Sequence, residues 1–257
     1  MIDKVYILNL PRETYRLQLC HASLLSLTQV PEEKLEVFEA MDNLEYQKSQ
    51  DICKAAIADG FPGFQNYIDG GWPKKESIGI FALAWSQARF FRHVCEENIT
   101  ACLFLDDRTL GTPFQELDTL VCKLKEIDTS FKYLNTTWGR GDKAWYGKGG
   151  KRCLPELPSV AYNLPLNSPV DAVAVISPEG AAWFLEHWVG ANTPRFEQFW
   201  MCRLPEKGIY TIVSPAYKEA MGVNFVVPSQ PSTIHKIVRY PDGSTSTLPL
   251  REIEDTS

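Results

Sequence analysis

Short apolar runs alternate with amphipathic stretches along most of the chain. The runs are rich in β-branched and aromatic residues and are bounded by proline, glycine or charged residues, which is typical of buried strands. Between these runs, apolar positions recur at helical spacing. The pattern predicts strands at 5–10, 35–40, 101–105, 131–135, 170–176 and 209–213, and helices at 12–25, 44–58, 77–94, 113–127 and 177–189.

Strands that alternate with helices predict right-handed crossovers, and therefore an α/β fold with a central, mostly parallel sheet flanked by helices. We expect a single domain over 1–240 and, because the composition becomes polar, a partly disordered C-terminal tail over 241–257. The segment 59–75 is rich in glycine and proline, so we expect a mobile surface loop there.

The apolar run over 101–105 stops abruptly on two adjacent carboxylates, Asp106 and Asp107, followed by Arg108. Ligands of open α/β sheets bind at the carboxyl ends of strands, so we expect this pair to face the binding crevice. Neighbouring carboxylates repel each other unless a cation or a hydrogen-bond donor offsets their charge, which suits a divalent metal that bridges a diphosphate. The same residues also fit a turn or a helix N-cap without any ligand.

Composition narrows the class of protein. A chain of 257 residues that is 44% apolar has enough material for a sizeable core. The net charge of −6 argues against a surface built throughout to hold nucleic acid. The seven cysteines form no Cys-x-x-Cys pair, so we expect reduced thiols in a cytoplasmic protein. We expect neither a leader segment nor a membrane span, because no run approaches roughly 18 apolar residues.

Several short motifs, in their order along the chain, resemble glycosyltransferase family 25, which includes lipopolysaccharide-type and collagen-type galactosyltransferases. The first predicted strand with Asn9, Arg12 and Arg16 is similar to that family's opening strand and its Asn-Leu-x-Arg signature. The similarity covers nearly the whole chain in short pieces, namely Phe38-Glu39-Ala40-Met41-Asp42, Ser77-Ile78-Gly79, Leu105-Asp106-Asp107, 172–185 and Ser232-Thr233-Ile234.

The resemblance implies a GT-A nucleotide-sugar fold and an inverting hexosyltransferase. The donor would be a uridine diphosphate sugar, galactose or glucose, and the acceptor a hydroxyl of a glycan or protein. The implied cofactor is Mn²⁺ or Mg²⁺. The residues expected to bind the nucleotide sugar are Asn9, Arg12, Arg16, Asp42, Asp106 and Arg108, and those expected to ligate the metal are Asp106, Asp107 and His235.

The chain departs from the family pattern at two places. Where the family has Ser-His in the helix after 77–79, this chain has Leu83-Ala84, so any role of that histidine is missing. If Leu105 aligns with the family leucine, Arg108 stands where the last metal-facing aspartate belongs. A guanidinium there would bind the diphosphate without a metal. With the register shifted by one residue, Asp106 and Asp107 are the last two acids of the family motif.

Sugar transfer also needs a base for the proton of the attacking hydroxyl. Glu197 is the first candidate, because the aromatic residues around it would desolvate the carboxylate and raise its pKa. Asp171 is the second candidate, since it precedes the apolar run 172–176. A surface carboxylate, a turn residue and an exposed histidine are the ordinary alternatives for Glu197, Asp171 and His235.

The segment 138–152 interleaves five basic residues with three aromatic ones and many glycines. Such a loop could close over a diphosphate, or hold a nucleic acid strand by charge and base stacking. The second possibility opens an alternative function, glycosyl transfer to a modified base in DNA, as in phage-type enzymes. A third alternative is a non-catalytic relic of the fold that binds a sugar nucleotide or a partner.

Overall fold

The computed structural model describes residues 1–106, 108–111, 113–136, 152–162, 173–196, 199, 207–212, 224–228, 235–239 and 245–249. Its helices are α1 (Thr14–Ser26), α2 (Ser49–Ala58), α3 (Phe64–Asp69), α4 (Ile78–Glu97), α5 (Phe114–Ile127) and α6 (Pro178–His187). Its strands are β1 (Lys4–Asn9), β2 (Leu35–Glu39), β3 (Ala101–Leu105), β4 (Arg108–Gly111), β5 (Tyr133–Asn135), β6 (Arg152–Leu154), β7 (Leu157–Tyr162), β8 (Val173–Ile176), β9 (Ile209–Ile212), β10 (Asn224–Pro228), β11 (His235–Arg239) and β12 (Thr245–Pro249).

Eight of these strands form one sheet in the order β2-β1-β3-β8-β5-β9-β7-β6. The α/β class is confirmed, but the sheet is mixed, so the prediction of a mostly parallel sheet was wrong. β1 runs parallel to β2 and β3, and β5 runs parallel to β9. β8 lies between β3 and β5 and runs antiparallel to both. The hairpin of β6 and β7 lies between β5 and β8 in the chain, and a hairpin reverses chain direction where a single helical crossover would preserve it.

Helices cover both faces of this sheet, and alternate strand residues divide between two cores. One core combines Tyr6, Leu8 and Leu103 with apolar residues of α2, α3, α4 and α6. The other combines Val5, Ile7 and further strand residues with those of α1 and α5. The inner parallel strands β1 and β3 are therefore buried on both faces, whereas the edge strand β2 is largely exposed.

The predicted mobile loop at 59–75 contains α3 and a 3-10 turn at Trp72–Lys74. Phe64 and Tyr67 are buried, and the Tyr67 hydroxyl donates to the Trp188 carbonyl oxygen at 2.9 Å. The glycines here separate short helices and do not prevent them: Gly60 and Gly71 take φ values of +91° and +68°, which suit helix ends. The predicted helix at 44–58 likewise begins later, at Ser49, after a 3-10 turn at Asn43–Glu45.

The remaining strands form two small pairs outside the main sheet. β4 pairs antiparallel with β10, and β11 pairs antiparallel with β12. β12 lies inside the stretch predicted to be the tail. Most of the basic and aromatic segment 138–152 lies outside the described residues, which resume at Arg152.

Candidate functional site

The carboxyl ends of β1 and β3 lie side by side. The sheet register pairs Leu8 with Leu105, so the residues that follow them, Asn9 and Asp106, leave the sheet at the same edge. β2 ends there as well, because the Ala40 amide donates to the Asn9 carbonyl oxygen at 2.8 Å. Three parallel strands thus deliver their following residues to one place, which is the geometry expected of a ligand crevice.

Arg16 and Asp106 form a buried ion pair at this edge. Arg16 lies in the first turn of α1, and its Nη2 donates to Asp106 Oδ1 at 2.6 Å. The two side chains are only 8% and 10% exposed. Removing one partner of such a pair leaves an uncompensated buried charge, which costs about 3–5 kcal/mol. The structure therefore brings together two of the predicted nucleotide-binding residues, with each holding the other.

Asn9, the last residue of β1, is buried. It follows Leu8, which is paired in the sheet with Leu105, the residue before Asp106. Its Nδ2 donates to the Leu10 carbonyl oxygen at 2.7 Å, which fixes the orientation of the side-chain amide. Its Oδ1 is buried and accepts no hydrogen bond within the part of the chain that the structure describes. A buried acceptor without a donor is unfavourable by about 1–3 kcal/mol. A hydrogen-bond donor or a cation that binds at this edge would therefore gain an interaction with Asn9 Oδ1.

Arg12 and Asp42 form a second ion pair, closer to solvent. Their side chains are 32% and 17% exposed. Arg12 Nη2 also donates to Asn43 Oδ1 at 3.4 Å, and Arg12 Nε lies 3.6 Å from Glu13 Oε1. The pair links the turn after β1 with the turn after β2, so Arg12 and Asp42, both predicted site residues, lie together at the rim of the edge.

The charges at this edge do not favour a polyanion by themselves. Among the described side chains, the ion pairs of this edge join the guanidinium groups of Arg12 and Arg16 to the carboxylates of Glu13, Asp42 and Asp106. A diphosphate would therefore need an added cation or a rearrangement of the ion pairs. Among the described residues, no group of three or more His, Cys, Asp or Glu side chains is arranged to hold a metal.

The other predicted site residues lie wholly or partly outside the described part of the chain. Asp107, Asp171 and Glu197 are outside it. Arg108 and His235 are described only as the first residues of β4 and β11, without their side chains. The predicted base and two of the three predicted metal ligands therefore stay predictions.

The described residues on either side of Glu197 are firmly held. Phe196 and Phe199 are each 2% exposed, and the Phe199 amide donates to the Arg195 carbonyl oxygen at 3.1 Å. Arg195 binds Glu76 through two hydrogen bonds, Nε to Oε1 at 2.9 Å and Nη2 to Oε2 at 2.7 Å. No local sequence pattern predicts this pair, because its members are 119 residues apart.

A small apolar cavity lies against Phe196, between α4 and the sheet. Leu103, Tyr133 and Ala174 line it, and Gln87, 4% exposed, adds an amide group from α4. No motif marked this cavity, because its lining residues look like ordinary core positions in the sequence.

The described cysteines agree with reduced thiols. Cys20, Cys53, Cys95, Cys102 and Cys122 are free. Burial raises the pKa of the Cys53 thiol to about 12 and also raises the pKa of the Cys102 thiol, so neither is a reactive thiolate near neutral pH. Within the described ranges, the helices are too short or too polar to cross a bilayer.

In the comparisons with known proteins, no family model and no curated protein matches the chain.

Proposed function

We propose that this chain is a GT-A type glycosyltransferase that moves a hexose from a uridine diphosphate sugar to a hydroxyl of a glycan or protein. The observation that carries the proposal is the polar cluster of Asn9, Arg16 and Asp106, buried where β1 and β3 end. Polar groups are buried at a cost in stability, and this edge is where open α/β sheets bind ligands. The order of the family 25 motifs favours a sugar nucleotide as that ligand.

Each residue of the edge has a part in the proposed complex. Arg16 orients the Asp106 carboxylate through its buried hydrogen bond. Arg12, on the rim, is exposed enough to reach a phosphate group, and Asp42 acts on binding as the ion-pair partner of Arg12 in the protein without ligand. Asn9 Oδ1 offers an acceptor to a donor group of the nucleotide.

A divalent cation suits this donor set, because Mn²⁺ and Mg²⁺ prefer carboxylate oxygens and because Asp106 and Asp42 both bring carboxylates to the described edge. Asp106 and Asp107 would hold it, with His235 as a further ligand, and the ion would neutralise charge on the leaving diphosphate. If Arg108 occupies the place of the metal-facing acid, its guanidinium would neutralise that charge instead.

In the reaction, the acceptor oxygen bonds to the anomeric carbon on the face opposite the diphosphate. The bond from that carbon to the phosphate oxygen breaks, and uridine diphosphate leaves with the electron pair. A base takes the hydroxyl proton, and we assign this role first to Glu197 and second to Asp171. The aromatic residues beside Glu197 in the sequence favour it, because desolvation would raise the pKa of its carboxyl.

Thermal unfolding in the presence of UDP-galactose, UDP-glucose or ADP-glucose, each with and without Mn²⁺, tests the proposal. A uridine nucleotide at about 100 times its dissociation constant should add roughly 2.7 kcal/mol to the free energy of unfolding. ADP-glucose is the matched control, since it keeps the diphosphate and changes the base. Failure of every uridine nucleotide to stabilise the protein would contradict the proposal.

Two further functions have support from particular residues. Binding without sugar transfer would indicate the non-catalytic relic, which Leu83-Ala84 in place of the family's Ser-His favours. The basic and aromatic segment 138–152 favours a modified DNA base as the acceptor. We also propose a cytoplasmic location, supported by the five free thiols.

A further inference from the structure

We propose that Asp42 competes with the ligand for Arg12, so that an anionic ligand gains this guanidinium only by displacing the Asp42 carboxylate. The inference rests on the proposed function, because the ligand concerned is the diphosphate of the sugar nucleotide.

All three nitrogen atoms of the Arg12 guanidinium group face acceptors of the protein. Nη1 binds Asp42, Nη2 donates to Asn43 Oδ1 at 3.4 Å, and Nε lies 3.6 Å from Glu13 Oε1. One cation is thus shared by two carboxylates and an amide. An Arg12 held in this way offers little attraction to a phosphate, and the surplus carboxylate repels it.

Arg12 is the partner that can move. The Asp42 carboxylate also accepts a hydrogen bond from the Leu44 amide at 2.8 Å, and in this way caps the 3-10 turn at Asn43–Glu45. This hydrogen bond holds the Asp42 side chain in position when the ion pair opens. Arg12 has a long side chain that is one-third exposed, so its guanidinium can turn from the carboxylate to a phosphate, which it binds bidentately.

The contrast with Arg16 separates the two arginines of the edge. The Arg16–Asp106 pair is about nine-tenths buried, so opening it would separate two charges that are shielded from water. The Arg12–Asp42 pair is partly solvated, and opening it costs little. Arg12 is therefore the adjustable phosphate ligand, and Asp42 sets the affinity.

Calorimetric titration of UDP into the full chain, in a buffer with fixed Mg²⁺, measures this competition. Asp42→Asn keeps an oxygen for the Leu44 amide and removes the charge. We expect this variant to bind UDP about fivefold more tightly, the factor that corresponds to an ion pair of about 1 kcal/mol. Glu39→Gln is the matched control: it removes an exposed carboxylate from the same end of β2, and the structure describes no ion pair between Glu39 and Arg12. It should change the affinity less than twofold.

The same titration in an Arg12→Ala background completes a double-mutant cycle. Arg12→Ala should weaken UDP binding, and adding Asp42→Asn should then have no further effect. Equal tightening by Asp42→Asn in both backgrounds would show plain charge repulsion and overturn the inference. Weaker binding by Asp42→Asn alone would also overturn it, because Asp42 would then assist the ligand. In both cases wild-type binding of UDP would leave the proposed function standing. If neither the wild type nor any variant binds UDP, both proposals are overturned.

Discussion

The Arg195 guanidinium and the Glu76 carboxylate form two parallel hydrogen bonds, at 2.9 and 2.7 Å, that join segments 119 residues apart. Glu76 lies two residues before α4, and Arg195 directly precedes the buried Phe196. The pair therefore ties the residue before Phe196 to the segment that leads into α4.

Replacing Arg195 by lysine tests how much this geometry contributes. Lysine keeps the charge but cannot form the bidentate contact, so we expect Arg195→Lys to lower the free energy of unfolding by about 0.5–1 kcal/mol. Urea unfolding of Arg195→Lys, Glu76→Gln and the double variant measures the coupling between the two side chains. Additive losses would show that the pair contributes no interaction energy of its own.

Because the Arg16–Asp106 pair is buried, removing one of its two charges should lower the stability of the protein more than removing both. Asp106→Asn should destabilise the protein by about 3–5 kcal/mol, because it removes the carboxylate charge that the buried Arg16 guanidinium binds. Arg16→Met with Asp106→Leu should recover most of that loss, since no charge remains to be buried. The recovered double variant should nevertheless bind no UDP. If the folded double variant binds UDP as tightly as the wild type, Arg16 and Asp106 do not belong to the UDP-binding site.

Two glycines in helices predict opposite responses to the same substitution. At Gly180 in α6, an added Cβ would lie 2.0 Å from the Lys132 carbonyl oxygen, so Gly180→Ala should destabilise by about 1–3 kcal/mol. At Gly79 in the first turn of α4, an added Cβ meets no atom of the described residues within 4 Å. Gly79→Ala should therefore stabilise by about 0.4–1 kcal/mol, because alanine restricts the unfolded chain. Thermal unfolding of both variants gives the comparison.

Local patterns predicted the elements well and their arrangement less well. The start of α6 followed from Ser177-Pro178-Glu179: the Ser177 Oγ accepts the Gly180 amide at 3.0 Å, with proline at the first helical position. The direction of β8 did not follow from sequence, because it depends on pairing with β3 and β5, which are distant in the chain. Strand order and direction are set by such long-range contacts, which leave no local pattern.

The same limit applies to the candidate site. Asp106 was identified from the end of an apolar run, and Arg16 from a motif, but their mutual ion pair spans 90 residues and needed the fold to appear. The glycines of 59–75 predict a loop, but the segment contains α3, whose Phe64 and Tyr67 are buried in the core. Local motifs therefore predict individual residues of the edge, but the ion pairs between them depend on the folded arrangement of the strands.

Asp128 predicts a pH dependence of stability. Burial raises the pKa of its carboxyl, but hydrogen bonds from Ser130 and Tyr210 and the nearby Lys207 ammonium outweigh burial and leave the pKa below its usual value. The Asp128 carboxylate thus binds a proton less readily in the folded state than in the unfolded state. Its stabilising effect is present above the unfolded pKa of about 3.9 and is lost as the pH falls through the folded pKa.

Urea unfolding of Asp128→Asn against the wild type measures this effect. At pH 7 the variant should be less stable by about 1–2 kcal/mol, because hydrogen bonds to a charged acceptor are lost. The difference should shrink as the pH falls below about 4, because the wild-type carboxyl then becomes protonated as well. Glu126→Gln, an exposed neighbour on α5, should change stability little at either pH. A difference that stays constant down to pH 3 would contradict the role of the Asp128 charge.

The acceptor can be tested through the basic segment. If 138–152 holds a polyanion, neutralising its basic residues together should weaken binding and flatten its salt dependence, because each lost phosphate contact releases one counterion fewer. The variant changes Arg140, Lys143, Lys148, Lys151 and Arg152 to glutamine. We expect the wild type to bind single- and double-stranded DNA weakly, since the net charge of −6 repels DNA and this segment is the local compensation that the sequence offers. Fluorescence anisotropy of labelled DNA at two salt concentrations measures the slope. Tight, steeply salt-dependent binding by the wild type, lost in the variant, would identify DNA as the acceptor in place of a glycan or protein.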